Sequence, residues 1–350
     1  MNIKDILKAA IDKKASDILL VAGCSMAFKI NNDVVKQAGE VLMPEETQEL
    51  IRQVYELAGR SMDKIESRGD DDFSFSIKEI GRFRCSAYRQ RGSLATVLRV
   101  VSFEFPDPVE KMIPKAVTDL YKIKKGLVLV TGSAGSGKST TLASIVDKIN
   151  QNRHAHIITI EDPIEFIHSH NKSIVSQREI EHDTGNYKSA LRAALRQAPN
   201  VILIGEMRDF ETIQTAITAA ETGQLVLSTL HTIGAAKSID RIIDVFPAEQ
   251  QQQVRVQLSM ELRAVVSQQL IPSTEGGLVP AFEIMLVNNA VRNMIKDSKL
   301  NQIDNVIQSS GAEGMVGMDN SILELYNKNL ISRDNALRYS INPENLQKKL

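Results

Sequence analysis

Eight residues in the middle of the chain, Gly132-Ser-Ala-Gly-Ser-Gly137-Lys138-Ser139, have the types and spacing to hold a triphosphate. They fit G-x-x-x-x-G-K-[ST], a loop whose backbone amides cradle phosphate oxygens. Glycines permit the tight wrap, so that N–H groups across Ser133, Ala134, Gly135, Ser136 and Gly137 point inward. Lys138 is placed to reach the β- and γ-phosphates of ATP, Ser139 to hold Mg²⁺, and Thr140 to close the cradle. The flanks agree with the motif. Leu127–Val130 reads as a short buried strand, and Thr140–Ile149 as a helix with Leu142, Ile145, Val146 and Ile149 on one side. The start of that helix adds its positive partial charge to the cradle.

Two further strand-like runs end in acids. Val201-Ile-Leu-Ile204-Gly205-Glu206 puts a carboxylate at a strand end, where it holds Mg²⁺ directly or through water. Ile157-Ile-Thr-Ile160-Glu161-Asp162-Pro163-Ile-Glu165 ends in three acids within five residues. Hydrolysis needs a carboxylate that orients water and takes its proton, and this turn can supply one. A third run, Leu225-Val-Leu227-Ser228-Thr229-Leu230-His231-Thr232, ends in hydroxyls and an imidazole, suited to sensing the γ-phosphate. His154, His156, His168 and His170 flank the acidic turn as two H-x-H pairs, without a spacing that points to zinc. Between Gly81 and Arg91 the chain carries Arg82, Arg84, Arg89 and Arg91, and Arg99 follows. These arginines read either as a solvated basic face or as groups that stabilise a transferring phosphoryl.

The elements that must position these groups fall into two blocks. Ile3, Ile6, Leu7, Ala10 and Ile11 form a helical stripe, strands follow at Asp17–Val21 and Ala27–Ile30, and Pro44 opens a helix to Leu57. Asp72–Val101 reads as a β-meander, with Phe73, Phe75 and Ile77 alternating, and likewise Phe83, Cys85 and Ala87. The proline-rich stretch Phe103–Pro114 reads as a linker. Beyond it, strands at 127–131, 156–160, 201–205 and 224–228 alternate with helices at 138–150, 187–197 and 210–222. That rhythm predicts a parallel sheet with helices on both faces. From 235 onward the chain reads as mostly helical, broken by a strand at Gly277–Leu286, and Asn342–Leu350 as a short helix or frayed tail.

Composition sets the bounds. The 350 residues suggest about two domains, and 43% apolar with 24% charged residues is ordinary for a globular protein. A net charge of −1 gives no general attraction to nucleic acid or acidic lipid. No apolar run approaches the roughly 18 residues of a membrane helix, and MNIKDILKAA lacks the features of a signal peptide. A cytoplasmic protein without membrane insertion is expected. Cys24 and Cys85 sit in apolar or strand-like stretches and read as reduced core thiols; two cysteines cannot form a four-cysteine zinc site.

Taken in order, these elements resemble the type IV pilus retraction ATPases, the PilT family of the secretion-ATPase superfamily. The longest matching stretch runs from Ala219-Ala-Glu-Thr-Gly-Gln-Leu through Ala235 to Pro247-Ala-Glu249. The resemblance implies an α/β fold. Residues 1–102 would be a PAS-like α+β domain, 103–115 a linker, and 116–350 a RecA-like ATPase domain with a helical C-terminal subregion over about 287–350. It puts the acidic box on Glu161, Asp162 and Glu165, with Glu165 the catalytic carboxylate, and the Walker B acid on Glu206. It also implies a homohexamer whose sites are completed by a neighbour. Arg84 and Arg99 fit the two arginines that reach across, and Arg241 lies in the helix after the histidine box.

Two segments resemble signatures of retraction: Ala290-Val-Arg-Asn-Met-Ile-Lys296 is similar to A-I-R-N-L-I-R, and Gly314-Met-Val-Gly-Met-Asp319 to G-M-x-T-M-D. Departures occur at Ser16-Asp-Ile-Leu-Leu20, where S-D-L-H-L is usual, at Ala22–Met26, and at Gln224, where the family has a histidine. The expected function is therefore an ATP-hydrolysing, Mg²⁺-dependent motor. It would use inter-domain motions to drive pilus retraction on an inner-membrane platform protein, at the cytoplasmic face of the pilus base. The alternatives are an extension or type II secretion ATPase, a hexameric nucleic-acid translocase, and a nucleotide-gated scaffold with negligible catalysis.

Overall fold

A computed structural model describes residues 2–30, 33–101 and 107–350. The chain divides into two compact units, Met1–Glu104 with Glu165–Ile167, and Phe105–Ile164 with His168–Leu350. The linker expected at 103–115 lies partly outside the described residues; its described part, from 107, leads by turns into a short helix.

In the first unit, α1 (Ile3–Asp12), β1 (Asp17–Leu20), β2 (Ala27–Ile30) and β3 (Asp33–Lys36) precede α2 (Pro44–Ala58) and α3 (Asp63–Arg68). The meander β4 (Asp70–Ile77), β5 (Gly81–Gln90) and β6 (Ser93–Val101) closes it. The strands form one sheet in the order β3-β2-β1-β6-β5-β4, antiparallel throughout. α2 begins on Pro44, with the Glu46 carboxylate accepting the Met43 N–H at 2.8 Å, and stops on left-handed Gly59. Ile3, Leu7, Leu50, Ile51 and Val54 pack with Phe73, Phe75, Phe83 and Leu98 over one sheet face. Asp71 anchors this layer: its buried carboxylate takes Arg60 Nε at 2.7 Å, Lys64 Nζ at 3.0 Å and the Tyr55 hydroxyl at 3.2 Å. Burial pushes its pKa up, but the Arg60 and Lys64 contacts outweigh that and hold it below the usual carboxylate range.

The cysteines differ from each other. Cys85 is a core residue, with Sγ 3.2 Å from Thr96 Oγ1 and its thiol pushed up to about 12 by burial. Cys24, expected in the core, lies half-buried in the turn between β1 and β2. Its neighbours Gly23 and Ser25 break the strand, so it gains no buried strand position.

The second unit opens with α4 (Lys115–Thr118), β7 (Gly126–Thr131), α5 (Lys138–Asn152), β8 (His156–Glu161) and β9 (Ile174–Glu179). There follow α6 (Tyr187–Ala194), β10 (Val201–Ile204), α7 (Phe210–Glu221), β11 (Leu225–Leu230), α8 (Ala235–Asp244), α9 (Ala248–Glu261), β12 (Leu262–Pro272) and β13 (Leu278–Leu286). The end of the chain is helical, with α10 (Asn289–Lys296), α11 (Ile303–Ser309), α12 (Met318–Asn327), α13 (Arg333–Tyr339) and α14 (Pro343–Gln347). Seven strands form one sheet in the order β13-β12-β7-β11-β10-β8-β9. All neighbours are parallel except β12 and β13, so the sheet is mixed.

Side chains alternate across β7. Val128 and Val130 pack under α5 with Leu142, Ile145, Val146 and Ile149, while Leu127 and Leu129 join α6 to α9 on the other face. The helical reading of residues 262–272 is wrong. This stretch is the eleven-residue strand β12, paired on both sides. Its apolar run Ala264-Val265-Val266 follows a helix directly, and a short buried run has no period that separates strand from helix. β3 and β9, both at sheet edges, were likewise not expected.

Candidate functional site

The parallel strands bring four carboxyl ends to one edge. Thr131 of β7 lies opposite Leu230 of β11, and Ser228 of β11 opposite Ile204 of β10, which faces Ile160 of β8. The ends therefore run in the order phosphate loop, histidine run, Glu206, acidic turn. At roughly 4.8 Å per strand, β10 stands roughly 10 Å and β8 roughly 14 Å from β7. Ligands of open α/β sheets bind at such edges.

The loop itself is tightly bonded. Lys138, at the start of α5 and 8% exposed, donates from Nζ to Gly132 O at 3.0 Å and Ser133 O at 2.7 Å. Ser133, Ala134 and Gly135 face solvent, Ser139 and Thr140 are half-buried, and Ser136 is buried. A Cβ on Gly132 would lie 2.3 Å from Gln268 O and 2.6 Å from Ser136 Oγ, so only glycine fits there. Two buried hydroxyls of this segment, Thr131 Oγ1 and Ser136 Oγ, have no hydrogen-bond partner among the described residues. Backbone amides and one buried ammonium make a donor set that suits a nucleotide's phosphates, and the Ser139 hydroxyl oxygen suits a divalent cation. Gly137, Thr140 and Thr141 also border a cleft of about 320 Å³, walled by Met112, Leu270 and Leu278.

Glu206 follows β10 and is held by its surroundings. Ser228 Oγ donates to Ile204 O at 2.9 Å and Thr229 Oγ1 to Gly205 O at 2.6 Å, so the hydroxyls of the histidine run fix the strand end beside it. Asp209 caps α7 by accepting from Thr212 N at 2.9 Å, which ends the loop three residues later. The Glu206 carboxylate meets His231 Nε2 at 3.2 Å and Arg208 Nε at 2.6 Å. Glu206, expected to hold Mg²⁺, and His231, expected to sense the γ-phosphate, are thus in contact.

The acidic turn contains a cis Asp162–Pro163 peptide. Glu161 accepts from Thr159 Oγ1 at 2.5 Å and Gln177 Nε2 at 3.2 Å, and Ile164 N donates to buried Glu179 at 3.0 Å. Glu165 is exposed and belongs to the short segment grouped with the first unit. The flanking histidines are used singly. His156 spans Gln197 O and Ser176 Oγ, His170 accepts from Val175 N, and burial lowers the His168 pKa to about 4.

In the first unit, Arg84 and Arg99 are direct cross-strand partners on β5 and β6. They lie on the sheet face opposite Phe83 and Cys85, and Arg99 Nε bonds Asp17 Oδ1 at 2.9 Å. Arg241 is exposed near the end of α8, and among the described residues no hydrogen bond or ion pair joins it to the other site residues.

Comparison with known proteins matches residues 1–314 to a family model described as type II/IV secretion system protein. The type IV pilus retraction ATPase PilT of Pseudomonas aeruginosa is 43% identical over 350 residues, covering 99% of this chain and 100% of that one. The chain belongs to the secretion-ATPase family. Within this family, a twitching motility protein of Neisseria gonorrhoeae is 40% identical over 346 residues, spanning 99% of this chain and 92% of its own length. A crystal structure of the pilus retraction motor PilT with bound ADP superimposes with a TM-score of 0.92 at 44% identity, covering 99% of each chain. The two-sheet α/β architecture is therefore that of a secretion ATPase.

Two site neighbours of this family member escaped sequence reasoning. Arg208 was visible only as one charge in a loop, although its place two residues after Glu206 puts it beside that carboxylate. Gln268, 3% exposed, lies in the strand that was read as helix, and nothing in its local pattern marks it. The segment Ala290–Lys296 is α10, with Val291 and Ile295 buried and Arg292 Nε bonded to Ser259 O at 3.0 Å. Asp319 accepts from Ile341 N and Asn342 N, fastening α12 to the start of α14.

Proposed function

We propose that this chain is the ATP-hydrolysing motor of type IV pilus retraction, working as a homohexamer. The observation that carries the reading is full-length likeness to a retraction motor in a chain whose phosphate loop, strand-end acids and α10 segment are all in place. The chain is a nucleotide-binding ATPase. Bound Mg²⁺ would offset phosphate charge and fix the triphosphate for in-line attack.

This chain's residues divide the work. Ser133 to Gly137 turn amides toward the phosphates, and Lys138 leaves the Gly132 and Ser133 carbonyls for the β- and γ-oxygens. Ser139 and Glu206 would hold the metal, and Arg208 keeps the Glu206 carboxylate in place. Glu165 orients water and accepts its proton. His231, beside Glu206, reports the γ-phosphate to α8 and Arg241. Arg84 and Arg99 stand side by side with the Asp17 carboxylate on Arg99, so the group keeps a net positive charge that favours an anion. We assign them to a neighbouring subunit's phosphates. Residues 1–102 serve as the PAS-like domain, 103–115 as the linker and 116–350 as the RecA-like motor domain. Changes in the angle between the two domains do work on an inner-membrane platform protein at the cytoplasmic face of the pilus base. Among the described residues no helix is long and apolar enough to cross a membrane.

An Mg²⁺-ATPase assay tests the site. Lys138→Ala should lower turnover by at least about 100-fold, in line with the loss of a phosphate-stabilising cation. Undiminished hydrolysis would move the site elsewhere.

A further inference from the structure

Strand β12 runs beside β7 to its end, with Ser267 opposite Thr131, which puts Gln268 alongside Gly132, the first residue of the phosphate loop. The Gln268 side chain is buried, yet both ends of its amide are used. Nε2 donates to Ser136 O at 2.5 Å, and Oε1 accepts from Thr141 Oγ1 at 2.7 Å. The first bond holds the loop and the second holds α5. Turning the amide over would set its oxygen against the Ser136 carbonyl, so the network fixes its orientation.

The same residue shapes two of the loop's glycines. Its backbone oxygen lies 2.3 Å from where a Gly132 Cβ would be, and its Nε2 lies 2.7 Å from where a Gly137 Cβ would be. Gln268 therefore touches the loop at its first residue and at the one before Lys138.

We propose that Gln268 is a positioning residue for nucleotide binding, aiming the phosphate loop from β12. In a planar trans peptide, C=O and N–H point in opposite directions. With Ser136 C=O held toward β12, the N–H of Gly137 is turned away from the strand. That amide is one of those expected to meet the phosphates. The bond to Thr141 fixes the first turn of α5, whose N-terminal amides continue the cradle. The sheet thus sets the direction of the loop's donors before any nucleotide arrives, a form of preorganisation that acts on binding.

This inference rests on the phosphate-loop reading, and one series of variants separates the two. Gln268→Leu removes both hydrogen bonds at similar volume. Gln268→Glu keeps an acceptor for Thr141 but sets a carboxylate oxygen against Ser136 O. Thr141→Val removes only the helix contact. Full-length proteins are compared by thermal melting, by ADP binding and by steady-state ATP hydrolysis. Gln268→Leu and Gln268→Glu should raise the Kd for ADP and the KM for ATP about tenfold, equivalent to about 1.4 kcal/mol. Their kcat should stay within about threefold, because binding is lost equally from ground and transition states. Thr141→Val should give a smaller rise of the same kind. A purely structural role would lower the melting temperature and leave KM unchanged. Folded Gln268 variants that bind ADP within about twofold of the parent overturn the proposal, measured against the tenfold loss of a well-placed bond. If both Gln268 variants fail to fold, an unchanged KM in Thr141→Val overturns it. A parent protein that binds no ADP overturns the loop assignment, and this inference with it.

Discussion

The Glu206 carboxylate meets Arg208 and His231 through one oxygen, with Arg208 Nε at 2.6 Å and His231 Nε2 at 3.2 Å. Glu165 is exposed, in a different unit of the chain. These surroundings give the two acids different tasks, which two amide variants separate. Glu165→Gln should bind ATP within about twofold of the parent and hydrolyse it at least about 100-fold more slowly, the range of a lost general base. Glu206→Gln should instead raise the Mg²⁺ concentration needed for half-maximal rate. Steady-state kinetics at varied Mg²⁺ checks both, and normal turnover by Glu165→Gln would transfer the base to another acid. At this scale the sequence was legible where chemistry needs a fixed spacing. Gly132 to Ser139 and Glu206 at a strand end follow from local pattern. Arg208 and Gln268 were not legible, because their importance comes from what the sheet brings near them.

β12 shows the same limit at the scale of an element. Leu262–Pro272 contains two glutamines and follows a glutamine-rich helix, so composition favoured continued helix. The sheet overrides that preference by pairing it with β7 and β13. The consequence is a brace. Ser267 Oγ accepts from Gly234 N at 2.9 Å, and its cross-strand partner Glu283 accepts from Ala235 N at 2.7 Å. Adjacent residues of β12 and β13 thus hold the start of α8, just after His231, while Gln268 holds the phosphate loop. Burial raises the Glu283 pKa, against the lowering effect of the Ala235 N–H, and Asp304 and Asp319 add to the rise. The folded state then keeps this proton to a higher pH than the unfolded chain does. Between the ordinary carboxylate value, about 4.3, and the raised one, the native state binds more protons, so stability falls as pH rises. Glu283→Gln should flatten that slope, seen as a smaller fall in melting temperature than in the parent over the same pH range. A parallel fall in both proteins would remove Glu283 from this role.

For the whole molecule, the order of elements was readable, but the use proposed for Arg84 and Arg99 belongs to the assembly. Their adjacency on β5 and β6 depends on cross-strand register, which a meander's sequence does not disclose. A mixing experiment tests action between subunits. The double variant Arg84→Ala, Arg99→Ala keeps an intact phosphate loop, and Lys138→Ala keeps intact arginines. Each alone should be nearly inactive. Mixed under conditions that exchange subunits, they should recover a measurable fraction of parent activity, because some sites then pair a sound loop with sound arginines. No recovery would place the arginines' action within one chain or outside catalysis.

The direction of the motor's work is the central claim, and counting surface pili in a strain that lacks this gene tests it most directly. A retraction motor predicts more pili than the parent strain carries, with none retracting and no twitching. A strain without pili would contradict the account and assign the chain to extension.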